Sequence, residues 1–168
     1  MKKRVLSIII AVCLILTMVP FSAFAEPAKS GTLENGMTWS LSDSGTLTVS
    51  GTGKMPDFYY IKPWDKLTDE ISAVVVGSGI TYIGYDAFSC CGNLKSIDFG
   101  GVTEIGQYAF SYTGLKTVVL PDTVKKVDSY AFENCTELTS FATGAGLEYI
   151  YPGAFRSCES LESVTFGA

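Results

Sequence analysis

From Met37 onward, apolar residues recur with a period of two over short runs that end at turn residues. Met37, Trp39 and Leu41 alternate with polar neighbours, Ser42–Gly45 reads as a turn, and Leu47 and Val49 alternate again. Period two is the spacing of a half-buried strand. Two such runs around a short polar loop predict a β-hairpin, with Gly45 free to take a positive φ. Alternation returns as Ile97/Phe99, Val118/Leu120 and Val164/Phe166, each predicting a strand of four or five residues.

These later strands belong to a repeat. Phe88, Phe110, Phe132 and Phe155 are separated by 22, 22 and 23 residues, and the same frame surrounds each: "AFSCCGNLKSIDF", "AFSYTGLKTVVL", "AFENCTELTSFAT" and "AFRSCESLESVTF". Upstream, Ile71–Phe88 matches Leu115–Phe132 without a gap, so the array starts near Ile71. A period of about 20 to 50 residues marks a solenoid, propeller or array. Each unit predicts one short strand, a turn carrying Gly or Pro-Asp, and a short turn of helix bearing Ala-Phe. One unit cannot bury its apolar side alone. Stacking places Leu94, Leu115, Leu138 and Leu161 in one column and the four Phe in another. The expected organisation is a targeting segment at 1–25, a β-hairpin cap at 26–70 and about four and a half repeats at 71–168.

The A-F-x-x-C-x-x-L-x-x-[IV]-x-[FL] frame, with V-x-x-I-G before it, resembles the BspA-type leucine-rich repeats of bacterial surface proteins. The stretch "MTWSLSDSGTLTVSGTGKMPDF" followed by "KPWDKLTDEI" resembles the cap that precedes such arrays in gut Firmicutes. The resemblance implies an α+β repeat solenoid, a right-handed coil with short parallel strands, used in adhesion and protein recognition and not in catalysis. Two departures stand out. The unit at Phe110 has Thr113 for Cys and lacks one residue before Leu115, and "FGGV" at Phe99 is one residue shorter than "LPDTV" at Leu120. Both read as trimmed loops that alter local curvature.

The first residues change the cellular setting. Lys2, Lys3 and Arg4 precede an apolar run from Val5 to Val19, and Ala23-Phe24-Ala25 supplies small residues for a cut after Ala25. That order is a secretory signal peptide. The apolar run is short of the roughly 20 residues that a membrane span needs, so no membrane association is expected after cleavage. Val12 before Cys13, where a lipoprotein signal needs a small residue, argues against a lipid anchor. Cleavage removes three basic residues and no acidic one, taking the formal charge from −5 to −8. A negative surface repels phosphate backbones, so nucleic acid is not an expected partner. The chain has no His, which removes the usual general base and the commonest transition-metal ligand.

Few residues suggest chemistry. Cys91, Cys135 and Cys158 share one repeat position and read as an inward column of small hydrophobes. Coils spaced by about 4.8 Å put Cys91 and Cys135 two rungs apart, beyond the roughly 7 Å that a disulfide spans. A disulfide between neighbouring Cys135 and Cys158 stays open, since export exposes it to oxidation. Their spacings follow the repeat and contain no CxxC pair, so no metal or other cofactor is expected. "GTGKM" at Gly51 lacks the first Gly and the final Ser or Thr of a phosphate loop. Sugar hydrolysis needs two carboxyls facing one cleft, and no such pair emerges: Glu104, Asp128 and Glu148 read as a solvated face.

What remains is a surface. The outward strand positions form two columns, Ala73/Ser96/Thr117/Ser140/Ser163 and Val75/Asp98/Val119/Ala142/Thr165. Ser96, Asp98, Thr117, Val119, Ser140, Ser163 and Thr165 are the candidate binding residues, and Tyr108 with Tyr130 forms an alternative patch. The expected function is a secreted or cell-surface module that binds a protein or glycan on a host or neighbouring cell. A structural spacer or a piece of a larger surface protein is the alternative, and a carbohydrate-active enzyme ranks third. The last strand, at Val164/Phe166, offers an edge for self-association.

Overall fold

The computed structural model describes residues 28–167, so the N-terminal targeting segment lies outside the described residues. The chain opens with three antiparallel strands, β1 (Ser30–Thr32), β2 (Thr38–Leu41) and β3 (Thr46–Ser50). The predicted hairpin is β2–β3, with Gly45 at φ 83°. After β4 (Gly53–Lys54) and a 3-10 turn over Asp65–Glu70, short strands come in pairs. They are β5 (Ala73–Val76) and β6 (Ile80–Ile83), then β7 (Ser96–Asp98) and β8 (Glu104–Ile105), then β9 (Thr117–Val119) and β10 (Lys126–Val127). The pairs β11 (Ser140–Ala142) and β12 (Tyr149–Ile150), then a final β13 (Ser163–Thr165), complete the coil.

The result is a parallel-strand solenoid of about five turns with almost no helix. Each turn contributes two strands where the sequence suggested one. The even-numbered strands form their own ladder, β12-β10-β8-β6-β4. Most are two residues long, too short for an alternation to register, and only the backbone pairing of Lys126 with Glu104 and Tyr149 defines them.

The expected helical turn at Ala-Phe is absent, and the backbone explains why. The N–H groups of Asp86, Phe88 and Cys90 donate to Gln107, Ala109 and Ser111 of the next rung at 3.1, 2.8 and 2.9 Å. In an α-helix those groups would bond within their own segment. Two left-handed residues per rung turn them outward instead: Asp86 and Cys90, then Tyr108 and Tyr112, then Tyr130 and Asn134. Bonding between coils replaces bonding within a helix.

The hairpin extends the coil rather than lying across its end. Strand β3 pairs in parallel with β5, Leu47 opposite Val74 and Val49 opposite Val76, so Trp39, Leu41, Leu47 and Val49 join the same core. Trp64 is fully buried, stacks on Phe88 at 5.9 Å and donates its indole N–H to Ala87 O at 2.8 Å. Below it the four Phe stack at 5.4, 5.3 and 5.8 Å, as the repeat predicts. Leu94, Leu115 and Leu138 are buried beside them, and Leu161 packs against the core partly buried. One buried cation crosses from cap to coil. Lys62, 5% exposed, donates to Ser89 Oγ and pairs with Asp65 and Asp86 at 3.1 and 3.5 Å.

The trimmed unit leaves a mark. Strands β5, β7 and their neighbours form one sheet and β9, β11 and β13 another, so the ladder of odd-numbered strands breaks between β7 and β9. Beside the break, Gly100 at φ 54° carries the short "FGGV" turn so close to Val76 that a side chain would meet its carbonyl.

Candidate recognition surfaces

The strand face follows the predicted columns. Ser96 pairs with Ala73 and Asp98 with Val75; past the break, Thr117, Ser140 and Ser163 align, as do Val119, Ala142 and Thr165. Ser96, Asp98, Thr117, Ser163 and Thr165 are exposed, Ser140 is half-buried, and Val119 is 70% exposed. Two features weaken this face as a continuous platform. It is interrupted where the ladder breaks, and Asp98 turns its carboxylate to its own turn, accepting Gly100 N–H at 3.0 Å. The hairpin adds Thr46 and Thr48 to the same columns.

The tyrosine edge is larger than the pair suggested by the repeat. Tyr108 and Tyr130 stack at 5.2 Å with their planes 9° apart, Tyr85 meets Tyr108 edge-on at 5.7 Å, and Tyr59 stacks on Tyr85 at 5.0 Å. Four rings therefore run along the coil. Tyr85 sits one residue earlier in its unit than Tyr108, and Tyr59 comes from the cap, so no sequence register links them. Tyr108 and Tyr130 have φ of 59° and 60°, a conformation that costs a residue with a side chain roughly 1–2 kcal/mol. In the last rung the position holds Gly153 at φ 75°, against which the Tyr130 ring packs.

At the N-terminal end of this edge, the cap loop presents Tyr59, Tyr60 and Ile61 to solvent at 68, 97 and 77% exposure. They border a groove of about 650 Å³ that also touches Leu33, Glu34, Asp57 and Phe58. Sequence reasoning missed this loop. Its signal was the run "FYYI" between Pro56 and Pro63, which has no counterpart in the repeats. Asp57 fixes the loop to the coil by accepting from the Tyr85 N–H at 2.7 Å, the Tyr82 hydroxyl at 3.0 Å and the Tyr59 hydroxyl at 3.3 Å. Burial, and then the bond to Asp57, push the Tyr82 hydroxyl up.

Among the described residues the four cysteines are free. Cys135 donates to Phe110 O at 3.1 Å and lies 3.2 Å from Thr113 Oγ1; Cys158 donates to Phe132 O at 3.0 Å. The neighbouring Cys135 thiol, and burial, push the Cys158 thiol up. Burial raises Cys91 to about 12. These thiols are filled positions in an inner column. Of the acidic groups read as a solvated face, Glu104 and Asp128 are half-buried, and Asp128 and Glu148 are paired with Lys126 and Lys125. No group of three or more His, Cys, Asp or Glu side chains able to hold a metal ion occurs among the described residues. No helix among them is long and apolar enough to cross a membrane.

Stacked two-strand turns, with inward Leu and Phe columns, define a leucine-rich repeat solenoid. The model of the BspA type leucine-rich repeat region matches residues 66–168 in six copies, and the chain belongs to that family. Members are repeat proteins, often surface-associated and generally without enzymatic activity. Solved structures similar to it include a leucine-rich repeat protein from Eubacterium ventriosum, 27% identical with a TM-score of 0.42. That match covers 70% of this chain and 44% of the other, so this chain spans less than half of that relative's length. The leucine-rich repeat protein of T. pallidum is 21% identical over 81% of this chain and 85% of its own, with a TM-score of 0.47. A leucine rich cell surface protein from Faecalibacterium prausnitzii is 19% identical over 82% of this chain and 54% of its own, at 0.35. No curated protein matches the chain by sequence.

Proposed function

We propose that this protein is an exported or surface-held recognition module that binds a protein partner through its tyrosine edge and forms or breaks no bond in doing so. The observation that carries this reading is the row of partly exposed tyrosine rings, Tyr59, Tyr85, Tyr108 and Tyr130, set against one another along one edge of the coil. Tyrosine is among the residues that dominate binding energy at interfaces, whereas the Ser, Thr and Val of the strand face are not. The strand face supplies the second surface, and export follows from the basic and apolar N-terminal segment.

The test is capture of the purified protein on an array of extracellular-matrix proteins and glycans, beside two variants. Tyr108→Gly/Tyr130→Gly removes the edge, and Val119→Arg/Thr165→Arg blocks the strand face. Saturable binding to a protein, lost in the tyrosine variant and kept in the arginine variant, supports the reading. Loss only in the arginine variant moves recognition to the strand face. Binding to nothing on the array favours a structural spacer.

A further inference from the structure

We infer that the groove beside the Tyr59–Ile61 loop is the anchor of this recognition and takes a cationic side chain, Lys or Arg, from an extended segment of the protein partner. The inference rests on the reading above and adds to it a site and a ligand chemistry.

The loop is exposed without being slack. Phe58 is buried, meets Trp64 edge-on at 5.4 Å and donates its N–H to Tyr85 O at 2.9 Å. Asp57 holds the coil through three hydrogen bonds, and Lys62 on the other side is buried in its own charge cluster. Only Tyr59, Tyr60 and Ile61, between these two anchors, face water. Three consecutive large apolar side chains kept in water on a pinned loop are a preformed contact, and preorganisation lowers the ordering cost of binding.

The polar groups select the ligand. Glu34 and Asp57 are acceptors, and among the described residues neither has a Lys or Arg within ion-pair distance. No Lys, Arg, Asn or Gln lines the groove itself; Lys54 lies in the adjoining groove that shares Glu34 and Asp57, with its ammonium over the Tyr82 ring at 5.5 Å. The nearby Asn35 amide is already spent on Met37 N–H and Lys54 O. Acceptors and aromatic faces without strong donors complement a group that only donates. Among side chains these are the ammonium of Lys and the guanidinium of Arg. Ile61 and Leu33 can take the methylene stem, Tyr60 offers a free ring face for a cation, and Glu34 and Asp57 meet the charge. The acidic character of the whole chain draws such a segment in.

The experiment uses fluorescein-labelled hexa-arginine and hexa-lysine, with the neutral sugar cellohexaose as competitor, at low and at physiological salt. The cationic probes are expected to bind saturably at one site. Tyr60→Ser and Glu34→Gln, both at exposed positions, are each expected to weaken them by about fivefold, the scale of one exposed cation–π contact or ion pair. Glu159→Gln, an equal charge change on the far rung, is expected to leave affinity within about twofold. The inference is overturned by absent saturable binding, by equal losses in Glu159→Gln and Glu34→Gln, or by displacement with cellohexaose. On the protein array, a partner lost by Tyr108→Gly/Tyr130→Gly but kept by Tyr60→Ser and Glu34→Gln would sink the groove and leave the recognition reading standing.

Discussion

Two aromatic rows run side by side through this coil, and they obey different rules. The inner row runs Trp64–Phe88–Phe110–Phe132–Phe155; the repeat dictates its four Phe, and all but the partly buried Phe155 are fully buried. The outer row, Tyr59–Tyr85–Tyr108–Tyr130, stacks at similar distances yet is half in water and partly on left-handed backbone. Stacking alone is therefore no sign of function. What distinguishes the outer row is that burial does not explain it and that repeat register links only Tyr108 with Tyr130.

The hardest way to break this comparison is to remove a ring from the inner row. Phe110→Ala deletes a fully buried side chain held between Phe88 and Phe132. It is expected to cost about 3–5 kcal/mol, read as a fall in the urea midpoint at unchanged slope. A loss below about 1 kcal/mol would mean that neighbouring coils close over the gap and that the row is not a rigid column.

The two rows also differ in how far they could be read from sequence. Phe88, Phe110, Phe132 and Phe155 announce themselves by spacing, as do the Leu and Cys columns. The strand face was legible for the same reason, because each of its positions repeats. Tyr59 and Tyr85 were not, since one comes from the cap and the other is a residue out of register. The second strand of each turn escaped because two residues carry no period. Each Ala-Phe segment was expected to form a short turn of helix and instead forms a rung. The choice between helix and rung is made by hydrogen bonds to a coil some 22 residues away, which local spacing cannot express.

Lys62 offers a second, smaller break, at the N-terminal end where the rows begin. It pairs with Asp86, which occupies in the first rung the left-handed position that Tyr108 and Tyr130 fill later. Lys62→Met keeps the stem and removes the charge. Because Asp65 and Asp86 are about a third exposed, water takes up part of the loss. The expected cost is about 1–2 kcal/mol, seen as a lower melting temperature. No change, or a gain in stability, would show that the buried charge only balances its own desolvation.

The inner side can be sharpened by pH. Cys91 is held up to about 12 by burial, against about 8.5 for an unfolded thiol. A raised acid keeps its proton longer in the folded state, so its contribution is fully present below the unfolded value and is lost as pH climbs toward the folded one. Stability is expected to fall above about pH 8.5 by on the order of 1 kcal/mol per pH unit, and Cys91→Ala should remove that part of the slope. Equal alkaline slopes in both proteins would place the effect on other groups, such as Tyr82.

The smallest stability change is expected where the functional claim is greatest. Tyr130→Gly gives up stacking with Tyr108, about 0.5–1.5 kcal/mol, and relieves a left-handed residue worth roughly 1–2 kcal/mol. Glycine's greater unfolded-state freedom takes back about 1 kcal/mol of that relief. These terms nearly cancel, so the urea midpoint should move by no more than about 1 kcal/mol. Partner capture, in contrast, should drop sharply. A variant that folds as well as the parent and no longer binds would separate the outer row from the inner one by measurement. If Tyr130→Gly instead destabilises the coil as Phe110→Ala does, the tyrosines are a second core turned toward water, and recognition belongs to another face.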